Sequence, residues 1–149
     1  MYNHILLSTD GSELARKGID HGLALAKRLG SKVTIVTVTE SFPATGIASE
    51  LGWVAAPVDF DRYDAAQKEL AQRILGEAAA AAEKAEVAAE TVHVPNAWPA
   101  GAIVNTATER GCDLIVMASH GRRGLEKVLI GSQTSEVLVT ATVPVLVVR

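Results

Sequence analysis

Cysteine is almost missing from this chain: Cys112 is the only one in 149 residues. A single thiol excludes an internal disulfide, and with it the stapled scaffolds of small secreted domains; zinc sites built on paired cysteines are excluded too. Aromatic residues are nearly as scarce, two each of Phe, Tyr and Trp. The core must therefore be filled by Ala, Val, Leu and Ile, which suits close packing of helices on a sheet. No apolar run approaches the length that crosses a bilayer, and no apolar segment of signal-peptide type precedes the first strand pattern, so a soluble cytoplasmic protein is expected. Positive charge is not in excess either. The formal net charge is −3, which argues against a general surface for nucleic acid or acidic lipid. The four histidines are scattered, and His120 has no second ligand-type residue at a useful spacing, so no metal site built from protein ligands alone is expected.

What is present is an apolar, lightly charged sequence, 48% against 21%, of a length that suits one domain spanning 1–149. Strand and helix patterns alternate from end to end, which points to an α/β fold with a mainly parallel sheet. The first strand is His4–Ser8, broken at Asp10-Gly11. The helix after it buries Ala15, Ile19, Gly22, Ala26 and Leu29, with Gly30 just past its end. A β-branched run makes the second strand over 33–38. Residues 39–58 carry Pro43, Gly46, Gly52 and Pro57 and show no period, and a loop of that length is usually functional. A second helix is predicted over 60–85, with Tyr63, Leu70, Ile74, Ala78 and Ala81 facing inward. The third strand covers 90–94, the third helix runs from Pro99 or Ala100 to Gly111, and the fourth strand covers 114–117. A last helix over 132–141 and a last strand, Val145–Val148, close the chain.

The densest chemistry lies between the fourth strand and the last helix, in Met117-Ala118-Ser119-His120-Gly121-Arg122-Arg123-Gly124 and on to Gly131-Ser132. A strand that enters a glycine-bearing, doubly basic loop and then a helix is suited to holding phosphate. Glycine lets backbone N–H groups approach an anion, the helix start adds unpaired donors and a positive dipole end, and Ser132 adds a hydroxyl. Neither a Walker A triplet nor a dinucleotide glycine fingerprint is present. Ligands of open α/β sheets sit beyond the carboxyl ends of strands. If strands one and four are neighbours, Ser8-Thr9-Asp10, Val38-Thr39 and the basic loop converge on one crevice.

Three separated motifs, Ser8-Thr9-Asp10-Gly11-Ser12, the run from Asp113 to Gly121, and Pro144-Val145-Leu146-Val147-Val148, resemble the universal stress protein family over the whole chain. The resemblance implies a Rossmann-like five-stranded parallel sheet in the order 3-2-1-4-5 with helices on both faces, and a homodimer through the last strand. Many members bind ATP through Gly-x₂-Gly-x₉-Gly-Ser/Thr. The matching positions here are Ala118, Gly121, Gly131 and Ser132, so the spacing is kept and the first glycine is alanine. By the same resemblance Asp10 would bond the ribose or adenine side and Val38 would pack on the base. Met117 would line the floor, Gly121 and Gly131 would give N–H donors to phosphates, and Ser132 would reach the terminal phosphates. Gln133 would offer its backbone N–H. Ser8, Thr9, His120, Arg122 and Gly124 complete the candidate set, and any Mg²⁺ would arrive with the phosphates.

Plainer roles compete with several of these. Asp10 could N-cap the first helix, with Glu13 completing a box-like pattern, and Ser132 could be only the cap of the last helix. Arg122 and Arg123 could be a solvated loop face. Trp53 and Trp98 could pack on a base, or cover core or a partner. The expected function is an adenine-nucleotide-binding, dimeric stress-response regulator that acts through partners rather than turnover. The alternatives are a nucleotide-free interaction dimer and a slow ATPase or autophosphorylating enzyme. Neither the Ser-Gly-Gly-x-Asp-Ser loop of related ATP-pyrophosphatases nor the His-x-Gly-His of related nucleotidyl transferases occurs, and no acid–base pair is visible.

Overall fold

Strand β1 (His4–Ser8) runs up the centre of a five-stranded sheet in which every neighbour is parallel. A computed structural model describes residues 1–42, 59–120 and 130–149. The elements follow as α1 (Glu13–Leu29), β2 (Lys32–Val38), α2 (Phe60–Lys84), β3 (Ala89–Val94), α3 (Pro99–Glu109), β4 (Leu114–Ala118), α4 (Ser132–Thr140) and β5 (Val145–Val148). The order across the sheet is β3-β2-β1-β4-β5, as the resemblance implied. The order of strand addition reverses between β1 and β4, which run parallel with Ile5 aligned to Leu114 and Leu7 to Val116. That junction is the switch point at which ligands of such sheets bind.

The central strands β1, β2 and β4 are largely apolar, with a β-branched run in β2, because both of their faces are covered. Alternation sends Ile5 and Leu7 to one core with Ile19, Leu23 and Leu75 of α1 and α2. Leu6 goes to the other, with Ile103 of α3 and Val137 of α4. At the foot of the sheet the Asp113 carboxylate accepts the backbone N–H groups of Asn3 (2.8 Å) and His4 (3.1 Å), which pins β1 to the start of β4. Slight burial pushes that carboxyl up, but those donors outweigh it and hold its pKa below the usual value. Cys112 lies buried in the second core, and burial pushes its thiol up.

Three local expectations are corrected. The cap of α1 is Ser12, whose Oγ accepts the Ala15 N–H at 3.2 Å, not Asp10. Gly11 turns the chain with φ of 77°, so the helix starts later than Asp10, whose Oδ1 instead accepts the Ser12 N–H at 2.9 Å. Leu29 is 41% exposed, because α1 ends there and Gly30 turns away at φ of 68°. In α2 the buried residues are Ala71, Ile74, Leu75, Ala78 and Ala82. Ala81 is only half-buried, while Tyr63 and Leu70 line a crevice rather than the core.

α1 lies close on the sheet through two glycines. A β-carbon on Gly22 would collide with Cδ2 of Leu7, a residue with no exposure and no room to retreat. On Gly18 it would meet only ordinary contacts, the nearest being the Ala118 nitrogen at 3.5 Å. Gly22→Val is expected to lower unfolding free energy by about 1–3 kcal/mol through overpacking. Gly18→Ala is expected to hold or slightly raise it. Urea midpoints of the two variants check the pair.

Candidate functional site

Beyond the carboxyl ends of β1, β2 and β4 the two helical layers part around a crevice of about 710 Å³. The volume lies within the ordinary range for small-molecule sites, about 300–1,000 Å³. Its floor is Ser8, Thr9 and Asp10 after β1, Val38 and Thr39 at the end of β2, and Met117 and Ala118 at the end of β4. One wall is the stripe Tyr63, Gln67, Leu70 and Ile74 of α2; the other is Trp98, Pro99 and Ile103 of α3 with Gly131 to Thr134 at the start of α4.

The β1–α1 turn is stiffened by its own side chains. The Thr9 Oγ1 accepts the Gly11 N–H at 3.1 Å, and the Asp10 and Ser12 bonds continue the series. This sets the half-buried Asp10 at the crevice floor. On the β4 side, the Gly131 N–H donates to the Ser119 carbonyl oxygen at 2.8 Å, and the Thr134 Oγ1 donates to the Ala118 carbonyl oxygen at 3.0 Å. The start of α4 is thereby fixed over the end of β4. Gly131 has φ of −68°, a conformation open to any residue, so glycine is needed there for closeness: an added β-carbon would stand 3.2 Å from the Ser119 oxygen.

Ser132 is not the cap that its position suggested. The cap of α4 is Gly131, which has no side chain, and Ser132 is the first helical residue. Among the described residues the N–H groups of the first turn of α4 thus have no side-chain acceptor, and Ser132, Gln133 and Thr134 line the crevice. α3 begins beside it but is closed. Its first residue, Pro99, has no N–H, and the Ala100 N–H donates to Oε1 of Gln133 at 2.9 Å. Of these two neighbouring helix starts, α3 has its first donor engaged, while α4 has no side-chain cap and suits an anion.

Ala118, the departure from the family motif, is extended and 7% exposed. Alternation along β4 puts its methyl on the α1 face with Leu114 and Val116, whereas α4 lies on the face of Ile115 and Met117. The extra carbon therefore points away from the open helix start.

The crevice brings together Ser8, Thr9, Asp10, Val38, Met117, Ala118, His120, Gly131, Ser132 and Gln133. His120 is half-buried, with Nδ1 3.0 Å from the Ser119 Oγ. Gly121, Arg122, Arg123, Gly124 and Trp53 lie outside the described residues. The α2 wall was missed. Its 4-3-4 spacing is visible in the sequence, but that spacing reads the same whether a stripe faces core or crevice. Among the described residues no group of three or more His, Cys, Asp or Glu is placed to hold a metal, and no helix is long and apolar enough to cross a membrane.

A sequence model of the universal stress protein family matches residues 1–149. Universal stress protein YxiE of Bacillus subtilis is 35% identical over 150 residues, covering 100% of each chain. The solved structure of protein MJ0577, from Methanocaldococcus jannaschii, superposes with a TM-score of 0.80 at 28% identity, covering 99% of this chain and 96% of that one. A universal stress protein in complex with cAMP superposes at 0.71 with 23% identity, covering 99% and 97%; one from Archaeoglobus fulgidus in complex with dAMP does so at 0.69 with 21%, covering 99% and 98%. At these identities the last two share the fold.

A side chamber of about 330 Å³ adjoins the crevice and shares Thr39 and Gln67 with it. There the His93 Nε2 lies 2.8 Å from the Thr39 Oγ1, with Asp64, Lys68 and Asn96 around the same space. Burial, with the Lys68 ammonium adding to it, holds the His93 pKa below its usual value of 6.5. The folded chain then binds this proton less readily than the unfolded one. The stabilisation is present above the unfolded pKa and is lost as pH falls through it toward the folded value. His93→Gln is therefore expected to flatten the loss of stability between roughly pH 7 and pH 5, read as urea midpoints of both proteins across that window.

Proposed function

The chain belongs to the universal stress protein family, and on that premise we propose that its crevice binds an adenine nucleotide, ATP in the first place. The phosphates sit on the first turn of α4 and the base lies toward Val38 and Asp10. The observation that carries this reading is the open start of α4 beside the sealed start of α3, at one end of a crevice with apolar walls. The cAMP and dAMP complexes on the same fold support the choice of ligand class. Ser132 supplies a hydroxyl and Gln133 a backbone N–H; Mg²⁺ comes with the phosphates and keeps mostly water ligands. The nucleotide state alters what the protein presents to partners, and turnover is slow, a reading supported by the lack of a recognisable acid–base pair in the sequence.

We also propose a homodimer through β5. That strand is an edge of the sheet, and Leu138 and Val139 of α4 are 42% and 85% exposed. An unpaired apolar edge is an aggregation hazard, and pairing with a second copy about a two-fold axis removes it from both chains. Ile115 and Ser119 donate to the carbonyls of Pro144 and Val148, so residues of even number in β5 face β4 and Val147 faces outward.

Titration calorimetry of nucleotide-free protein with ATP–Mg²⁺ is expected to give a saturable heat, and no heat at millimolar ligand would reject the reading. Gly131→Val should weaken binding at least tenfold. Its crowding of the Ser119 oxygen should also cost about 1–3 kcal/mol of stability. A phosphate-release rate near the enzyme median of about ten per second would overturn the non-catalytic role. Val147→Pro removes an outward donor and spares the β4 ladder. Sedimentation should show a dimer for the unmutated chain and a monomer or aggregate for the variant; a monomer for the unmutated chain at micromolar concentration would rule the interface out.

A further inference from the structure

Gln133 acts in two directions. Its backbone N–H belongs to the open first turn of α4, while its side chain accepts the Ala100 N–H at the start of α3. The sequence pointed only to the backbone group. Because Pro99 has no N–H, the Ala100 donor is the first that α3 offers, and Gln133 holds it. Trp98, the residue before that proline, is the N-cap of α3 and makes no cap bond with its side chain. Its indole instead reaches across, with Nε1 donating to Oε2 of Glu136 in α4 at 3.1 Å. The ring lines the crevice and is 61% exposed to solvent. The start of α3 is therefore tied to α4 by two bonds, while the buried Thr134 hydroxyl ties α4 to β4.

We propose that Gln133 is a positioning residue that couples phosphate occupancy of the crevice to the placement of Trp98. The proposal rests on the reading that phosphates sit on the first turn of α4. An anion accepting from those N–H groups engages the backbone of the very residue whose side chain carries Ala100, and so bears on where that side chain is held. The start of α3 follows, and with it an aromatic ring that solvent and partners can reach. Adenosine, with no phosphate, leaves that turn unengaged and leaves Trp98 in place. Nucleotide state becomes legible on the protein surface without rearrangement of the sheet.

Trp53→Phe leaves Trp98 as the only tryptophan. In that background, Trp98 emission is followed during titration with ATP and with adenosine, with calorimetry in parallel. ATP is expected to change the emission with the calorimetric midpoint, and adenosine to leave it unchanged. Adding Gln133→Met, of similar length but with no oxygen acceptor, should weaken ATP several-fold and abolish the emission change at saturation. Gln133→Glu keeps an acceptor for Ala100 and should retain the change at whatever affinity its charge allows. Calorimetric binding of ATP with no emission change, an equal change with adenosine, a full change in Gln133→Met, or its loss in Gln133→Glu would each overturn the coupling. Absence of heat with ATP would instead reject the nucleotide reading beneath it.

Discussion

The hydrogen bond from the Gly131 N–H to the Ser119 carbonyl oxygen decides where α4 begins, and the rest of the site depends on that position. It brings the end of β4 and the start of α4 into direct backbone contact, close enough that a β-carbon would crowd the Ser119 oxygen. With no side chain at the cap, the first-turn N–H groups of α4 have no side-chain acceptor among the described residues. A serine or aspartate at that position would offer them an acceptor of its own and compete with any ligand. Closeness and openness thus come from the same absent side chain.

The magnitudes indicate how the crevice divides its work. A helix dipole contributes about 0.3–1 kcal/mol to an exposed anion and up to about 2 where partly buried. A micromolar ligand requires about 8 kcal/mol. The open helix start can therefore orient phosphates without holding a nucleotide alone. Direct N–H bonds add to it, and burial of the base, at about 25 cal/mol for each Å² of apolar surface, has to supply much of the remainder. Under the proposed reading, the apolar surface of Leu70, Ile74 and Ile103 in the walls and Met117 in the floor is as necessary as the anion end.

Much of this was legible in the chain. Runs such as Val33-Thr34-Ile35-Val36 define strands because only a pleated, buried surface accommodates so many β-branched side chains. The meeting of Asp10, Val38 and Met117 follows once the strand order is known, and that order came from the family resemblance, since periodicity cannot choose among neighbours. The rest was hidden for physical reasons. Whether Ser12 or Asp10 caps α1 depends on a left-handed glycine between them, and both residues are good caps in isolation. Whether Tyr63 and Leu70 face core or crevice depends on where α2 passes the end of the sheet. The side-chain role of Gln133 is a contact between residues 33 apart in the chain, to which no local pattern refers.

The most direct measurement is the set of backbone amide resonances of Ser132, Gln133 and Thr134 during titration with ATP and, separately, with adenosine. Phosphate on the first turn of α4 should move these amide protons strongly downfield with ATP and leave them nearly still with adenosine, while resonances near Val38 respond to both. Saturable ATP binding with those three amides unmoved would contradict the placement of the phosphates and, with it, the role assigned to the open end of α4.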